Sequence, residues 1–160
     1  MATIRRFEDL ICWQKARLLT KEIYQALSSI RDPGFTDQIQ RAAVSILSNI
    51  AEGFESGTKQ EFLNYLYIAK GSAGEVRAQL YVALDVRYLN MEKFEYLKNL
   101  AEDCSRLINS FIGKLKTGGL GGLQHKAGEK RDIVAELASE AGYTFVNGRP
   151  KRIADDDKEI

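Results

Sequence analysis

Four stretches with helical apolar spacing fill the first 116 residues, and none shows the strict alternation of a half-buried strand. The first runs from about Phe7 to Ile30, with Phe7, Leu10, Trp13, Ala16, Ile23, Leu27 and Ile30 at steps of three and four. Asp32-Pro33-Gly34 is expected to end it, because proline disfavours helix at the preceding residue and glycine accepts turn geometry. The second is expected to begin after Thr36 as N-cap, with Asp37 in its first turn, and carries Ile39, Ala43, Ile46, Ile50 and Phe54 until Gly57. The third has the clearest start. Thr58-Lys59-Gln60-Glu61 is a capping box, in which threonine and glutamate satisfy each other's free backbone donors. Phe62, Leu66, Ala69, Ala73, Val76, Leu80 and Leu84 then mark one face. Asn90 is placed to cap the fourth, where Phe94, Leu97, Ala101, Cys104, Ile108, Phe111 and Leu115 repeat as a heptad seam.

Helices of about 22 to 28 residues span roughly 33–42 Å, and short links between them favour antiparallel neighbours. The expected fold is all-α: an up-down-up-down four-helix bundle over residues 1–116. Gly118-Gly119-Leu120-Gly121-Gly122 should break the fourth helix and make residues 117–127 a linker. The tail, 128–160, is compatible with a short helix over 128–141, with Ile133, Val134 and Leu137 on one side. Those residues, with Tyr143 and Phe145, are the expected partner-docking positions of the tail. Tyr143–Val146 before Asn147-Gly148 hints at a hairpin, but Pro150 and the charged end argue against a second strand.

Composition narrows the chemistry more than the fold. The 160 residues suit one domain with an appendage, and 23 basic against 22 acidic side chains leave a net charge of +1. The bundle segment holds 16 basic and 14 acidic residues and the tail 7 and 8, so neither half has the bias typical of a nucleic-acid binder. Charge-free runs such as Ala42–Ala51 and Phe62–Ala69 are too short for a membrane span, and Glu8 and Asp9 interrupt any signal-like start. The expectation is a cytoplasmic protein without membrane contact. The sole histidine, His125, lies beyond the glycine linker. That excludes the Glu-x-x-His pairs of di-iron bundles and histidine-based nucleophilic catalysis. It also excludes a helical ribonuclease with an Arg-x4–6-His pair, since Gly118–Leu120 contains no arginine. Gly71-Ser72-Ala73-Gly74 is no phosphate loop, because no Gly-Lys-Ser/Thr follows. Cys12 and Cys104 sit among apolar positions outside any Cys-x-x-Cys pair and read as core residues. No catalytic residue, metal or cofactor is expected.

Two features call for an explanation. Ser45, Asn49 and Glu52 form a polar stripe beside Ile46 and Ile50, and Ser72, Glu75 and Gln79 repeat it on the third helix. They read as a satisfied polar seam, with a pocket or pore edge in an oligomer as the sharper alternative. Gly71 and Gly74 each cost about 1 kcal/mol relative to alanine inside a helix, so they are expected to mark a tight helix crossing. The basic residues are scattered; Arg5, Arg6, Lys15, Arg17, Lys21, Arg41 and Lys59 are the candidate nucleic-acid contacts, should an oligomer align them.

Several strings resemble a known family. They are Phe7-Glu8-Asp9-Leu10 with Trp13-Gln14-Lys15-Ala16, Arg41-Ala42-Ala43-Val44-Ser45-Ile46, and Asn49-Ile50-Ala51-Glu52-Gly53-Phe54. Glu61-Phe62, Gly71-Ser72 with Glu75, and Tyr88-Leu89 continue the match. Over about residues 5–115 the chain is similar to the four-helix-bundle proteins encoded in intervening sequences of bacterial 23S ribosomal RNA, the so-called S23 family. The resemblance implies a bundle that forms ring-shaped homopentamers and has no enzymatic activity. The family includes the accessory variability determinant of diversity-generating retroelements, a basic pentamer that binds a reverse transcriptase and nucleic acid. The resemblance further implies that Arg41, Ser45, Asn49, Glu52, Gly53, Ser72 and Glu75 shape fold and assembly. The implied function is a non-catalytic oligomeric adaptor associated with nucleic acid, such as rRNA or a reverse transcriptase complex. The alternative is a protein–protein scaffold whose tail recruits the partner. The near-neutral charge and the tail from Thr117 depart from the pattern of the basic retroelement member.

Overall fold

In the computed structural model the described residues are 4–118, together with the backbone of 143–146 and 149–152. Four helices make up the first part: α1 (Ile11–Ala26), α2 (Pro33–Glu55), α3 (Lys59–Asp85) and α4 (Met91–Lys116). Each packs against two others, α1 on α2, α2 on α3, α3 on α4 and α4 back on α1, as in an up-down-up-down bundle. The core runs the length of the bundle through fully buried Leu19, Ile23, Ile39, Ile46, Ile50, Phe62, Leu66, Leu80, Leu97 and Ile108. Every member of the heptad seam from Phe94 to Leu115 is buried.

Both ends of α1 and of α2 differ from expectation, α1 stopping at Ala26 rather than Ile30. α1 does not reach back to Phe7. Phe7–Asp9 forms a single 3-10 turn, and Leu10, extended at φ −75° and ψ 121°, separates it from the helix. Leu10 is buried there and Phe7 packs edge-on against Trp13, so the turn closes the end of the core. Asp32-Pro33-Gly34 does not simply end α1; it begins α2. Pro33 takes the first helical position, where its missing N–H costs nothing, and the Asp32 carboxylate accepts from Phe35 N at 3.1 Å. Thr36 is therefore inside the helix, its hydroxyl donating to Asp32 O at 2.8 Å. α2 ends at Glu55 with Ser56 as C-cap, two residues before the Thr58 capping box, which forms as expected. Asn90 caps α4 by accepting from Lys93 N at 2.8 Å. Between α3 and α4, Arg87 takes a positive φ of 62°, which lets Tyr88 N donate to Ala83 O and turns the chain sharply.

Residues 143–152 hold a second, separate element. β1 (Tyr143–Val146) pairs antiparallel with β2 (Arg149–Arg152), and Pro150 stands opposite Phe145. The hairpin forms despite the proline. In a two-stranded sheet β2 is an edge strand, a place where proline is tolerated because one side of the strand has no ladder to serve. The chain divides into two compact units, Met1–His125 and Lys126–Ile160. The suggested helix over 128–141, with Ile133, Val134 and Leu137, lies outside the described residues. Tyr143 and Phe145 fall in β1.

Candidate functional site

The polar stripes of α2 and α3 meet in one directed hydrogen-bond relay. Asn49 Nδ2 donates to Ser45 Oγ at 3.0 Å and to Ser45 O at 2.7 Å. Ser45 and Ser72 hydroxyls lie 2.9 Å apart, and Ser72 Oγ donates to Ile68 O at 3.1 Å. With the Ser72 proton committed to Ile68, Ser45 is the donor to Ser72, and the relay runs one way from Asn49 to the α3 backbone. Ser72 is the one buried polar side chain among the described residues. Glu75 is exposed and accepts from Gln79 Nε2 at 3.1 Å; Glu52 is exposed at the rim. Arg41, also exposed, pairs with Asp37 at 3.7 Å. Arg41, Ser45 and Glu75 line an open cleft of about 550 Å³ between the two helices.

The glycines divide differently than expected. Gly53, not Gly71 or Gly74, marks the close approach. A Cβ on Gly53 would fall 2.6 Å from Phe62 Cδ2 and 2.8 Å from Tyr65 Cβ, so α2 and α3 touch there through bare backbone. Gly71 and Gly74 are exposed, with nothing within 4 Å of an added Cβ. No packing among the described residues explains either of them.

The outer face of α3 explains where they sit. Ile68, Val82 and Val86 are 53%, 47% and 50% exposed, and Gly71 lies on the same side of the helix. From Phe62 to Leu84 the only charged residues are Lys70, Glu75 and Arg77. The charged residues of that stretch leave Ile68 and Val82 as an exposed apolar strip on the outer side of α3.

The seven basic residues singled out in the sequence do not converge. Arg5 and Arg6 precede the 3-10 turn, where Arg6 pairs with Glu8; that ion pair raises the Arg6 pKa and lowers that of Glu8. Lys15 faces α4 and pairs with Asp103 at 3.6 Å. Asp103 is held below the usual carboxylate range by its hydrogen bond to Arg106, with Lys15 adding a smaller effect. Arg17 lies over the Trp13 ring, Lys21 is exposed on α1, and Arg41 belongs to α2. Only Lys59 joins other cations.

Those others form a row along the α3–α4 seam. Lys59 Nζ donates to Lys116 O at 3.4 Å, Lys116 Nζ lies 5.4 Å from the centre of the Tyr67 ring, and Lys70 Nζ donates to Asn109 Oδ1 at 2.7 Å. Arg77 follows one heptad after Lys70, and its Nε is buried without an acceptor. Tyr81 packs edge-on against Phe94 and stays half exposed. Among the described residues none of Lys59, Lys70, Arg77 and Lys116 has an ion-pair partner. The spacings of seven between Lys70 and Arg77 and of fourteen between Tyr67 and Tyr81 put these residues on one helix face. That was the sequence signal for the row.

Among the described residues no group of three or more histidine, cysteine, aspartate or glutamate side chains could hold a metal ion. Cys12 and Cys104 are buried, and desolvation pushes their thiols up to about 11 and about 12. Neither is poised as a nucleophile at neutral pH.

Residues 8–110 match the family described as 23S rRNA-intervening sequence protein. The chain belongs to that family. A solved member of the S23 ribosomal protein family from Bacteroides thetaiotaomicron VPI-5482, described as a protein with unknown function, shares 25% identity and superposes with a TM-score of 0.61. The match covers 64% of this chain and 98% of that one, so the S23 bundle accounts for nearly all of the relative and leaves part of this chain without a counterpart there. No curated protein matches the chain. No helix among the described residues is long and apolar enough to cross a membrane.

Proposed function

We propose that this S23-family chain is a non-catalytic adaptor that works as an assembly of its own copies, a ring of five as the family resemblance implies, and associates with nucleic acid. The observation that carries the assembly is the outer face of α3. Ile68, Val82 and the C-cap Val86 leave an exposed apolar stripe along α3, beside Gly71, which packs against nothing among the described residues. The Ser45–Ser72–Asn49 relay supports the same reading, because it fixes α2 against α3 and so holds the stripe in one geometry. The nucleic-acid partner, rRNA or a strand held by a reverse transcriptase, follows from the resemblance. Light scattering of the purified chain tests the assembly. The expected mass is about five times the 18.0 kDa of one chain, and a monomer at micromolar concentration would refute it.

A protein–protein scaffold is the second reading, favoured by the pairing of Lys15, Arg41 and Arg6 with acidic neighbours. In it the tail, with Ile133, Val134, Leu137, Tyr143 and Phe145, recruits the partner.

A further inference from the structure

The row of cations and tyrosines links α3 to α4 without using a single acid. Lys59, Lys70 and Lys116 are held by neutral groups rather than acids, and Arg77 has no ion-pair partner among the described residues, so the charge of all four is available to an external anion. Arg77 Nε–H is buried and lacks an acceptor, so an external anion would meet the outer nitrogens of a partly exposed guanidinium that no described acid neutralises. Tyr67 and Tyr81 are 46% and 51% exposed and stand in the same row as the cations. Gly74, between Lys70 and Arg77, weakens the helix without any packing return and leaves open space where a side chain would stand. From Lys59 to Arg77 the row runs about 27 Å along α3.

We infer that this seam is a binding surface for single-stranded nucleic acid, with the four cations following phosphates, Tyr67 and Tyr81 stacking on bases, and Gly74 admitting the strand against the helix. Alternating charge and aromatic faces suit an unpaired strand, whose bases are free to stack; a duplex offers only its phosphates. A straight row on one helix pair also lacks a protruding helix or ribbon that would enter a major groove. Glu102, within electrostatic reach of Lys98 on the same side of α4, opposes the row's charge and limits its affinity. The inference rests on the adaptor reading above but needs only one chain, so it holds whatever the assembly size.

The test is fluorescence anisotropy of the full chain with a labelled 20-nucleotide oligouridylate, a matching RNA duplex, and a salt titration. The wild type should prefer the single strand, and log K should fall with log salt at a slope of about −3, as expected for four phosphate contacts. K70Q/R77Q should lower affinity at least tenfold and reduce the slope to about −1.4. Y67L should weaken binding with the slope unchanged, and E102Q should tighten it. R5Q/R6Q/R17Q, a control with the same loss of charge or more, should leave binding within twofold. Circular dichroism of each variant confirms the fold. Binding that survives K70Q/R77Q, or falls equally in the control, overturns this surface while leaving nucleic-acid association standing. Duplex preference overturns the single-strand assignment. Absence of binding to either RNA at low salt overturns both the surface and the nucleic-acid part of the adaptor reading.

Discussion

The Tyr88 hydroxyl donates a 2.8 Å hydrogen bond to Asp32 Oδ2, joining the link after α3 to the residue that caps α2. The other carboxylate oxygen of Asp32 accepts from Phe35 N, so one side chain starts a helix and ties two loops at the same end of the bundle. Phe35 and Tyr88 also pack edge-on at 5.5 Å, which fixes the phenol over the cap. The Phe35 N–H, and after it the Tyr88 hydroxyl, hold the Asp32 carboxyl below its usual range.

A depressed carboxylate pKa contributes stability above the unfolded value, and that contribution is lost as pH falls through the folded one. The wild-type melting temperature should therefore drop on acidification below about pH 4, in part through Asp32. D32N should lower the melting temperature at pH 7 and flatten this acid limb. Y88F should have a smaller effect in the same direction. Thermal melts from pH 7 to pH 3 measure both, and an unchanged acid limb in D32N would show that the cap carries no pH dependence.

Glycine-to-alanine exchange should give opposite signs at two sites. G53A places a methyl against Phe62 and Tyr65, both at contact distances that force a shift, and should cost about 1–3 kcal/mol. Within one chain G71A meets open space and should stabilise the unassembled bundle by up to about 1 kcal/mol. Urea unfolding of both variants decides the matter. Destabilisation by G71A would mean that the position already packs against something in the folded state.

The Ser45–Ser72 relay predicts a graded loss. N49L removes the donor to Ser45 Oγ and to Ser45 O and should cost about 1 kcal/mol, and S72A should cost a similar amount by leaving Ser45 without its acceptor. The double variant should cost less than the sum, because both act on one chain of bonds. A fully additive double variant in denaturant melts would show that the two contacts are independent.

Both thiols should be silent in the folded protein. With Cys12 raised to about 11 and Cys104 to about 12 by burial, thiol reagents at pH 8 should react only at the rate of unfolding. Because the folded thiols titrate above the ordinary value of 9.0, stability from this source falls as pH rises beyond 9. Stoichiometric labelling of native protein within seconds would contradict the burial.

Helix existence and the core were legible from periodicity, because an apolar stripe at steps of three and four has one way to be buried. The capping box at Thr58 and the Asn90 cap were legible for the same local reason, since each partner lies three residues away. Asp32 was not, because a Pro-Gly pair reads equally as an end and a beginning, and its bond to Tyr88 joins residues far apart in sequence. Gly53 and Gly71 look alike in sequence; only the neighbouring helix tells a contact from an open position. The cation row escaped notice because a tally of charge along the chain averages over faces, whereas the fold puts Lys116 beside Tyr67 and Lys59. The polar stripes were visible, and the direction of the Asn49–Ser45–Ser72 relay came only from the distances.

The outer face of α3 is the point on which assembly turns, and I68K/V82K tests it directly. Both residues are half exposed, and a lysine stem can lie along the helix with its ammonium in water, so the variant should keep the helicity and melting behaviour of the parent. Light scattering at micromolar concentration should then report a multiple of 18.0 kDa for the wild type and 18.0 kDa for I68K/V82K. Equal masses for the two, whether both assembled or both monomeric, would contradict the account.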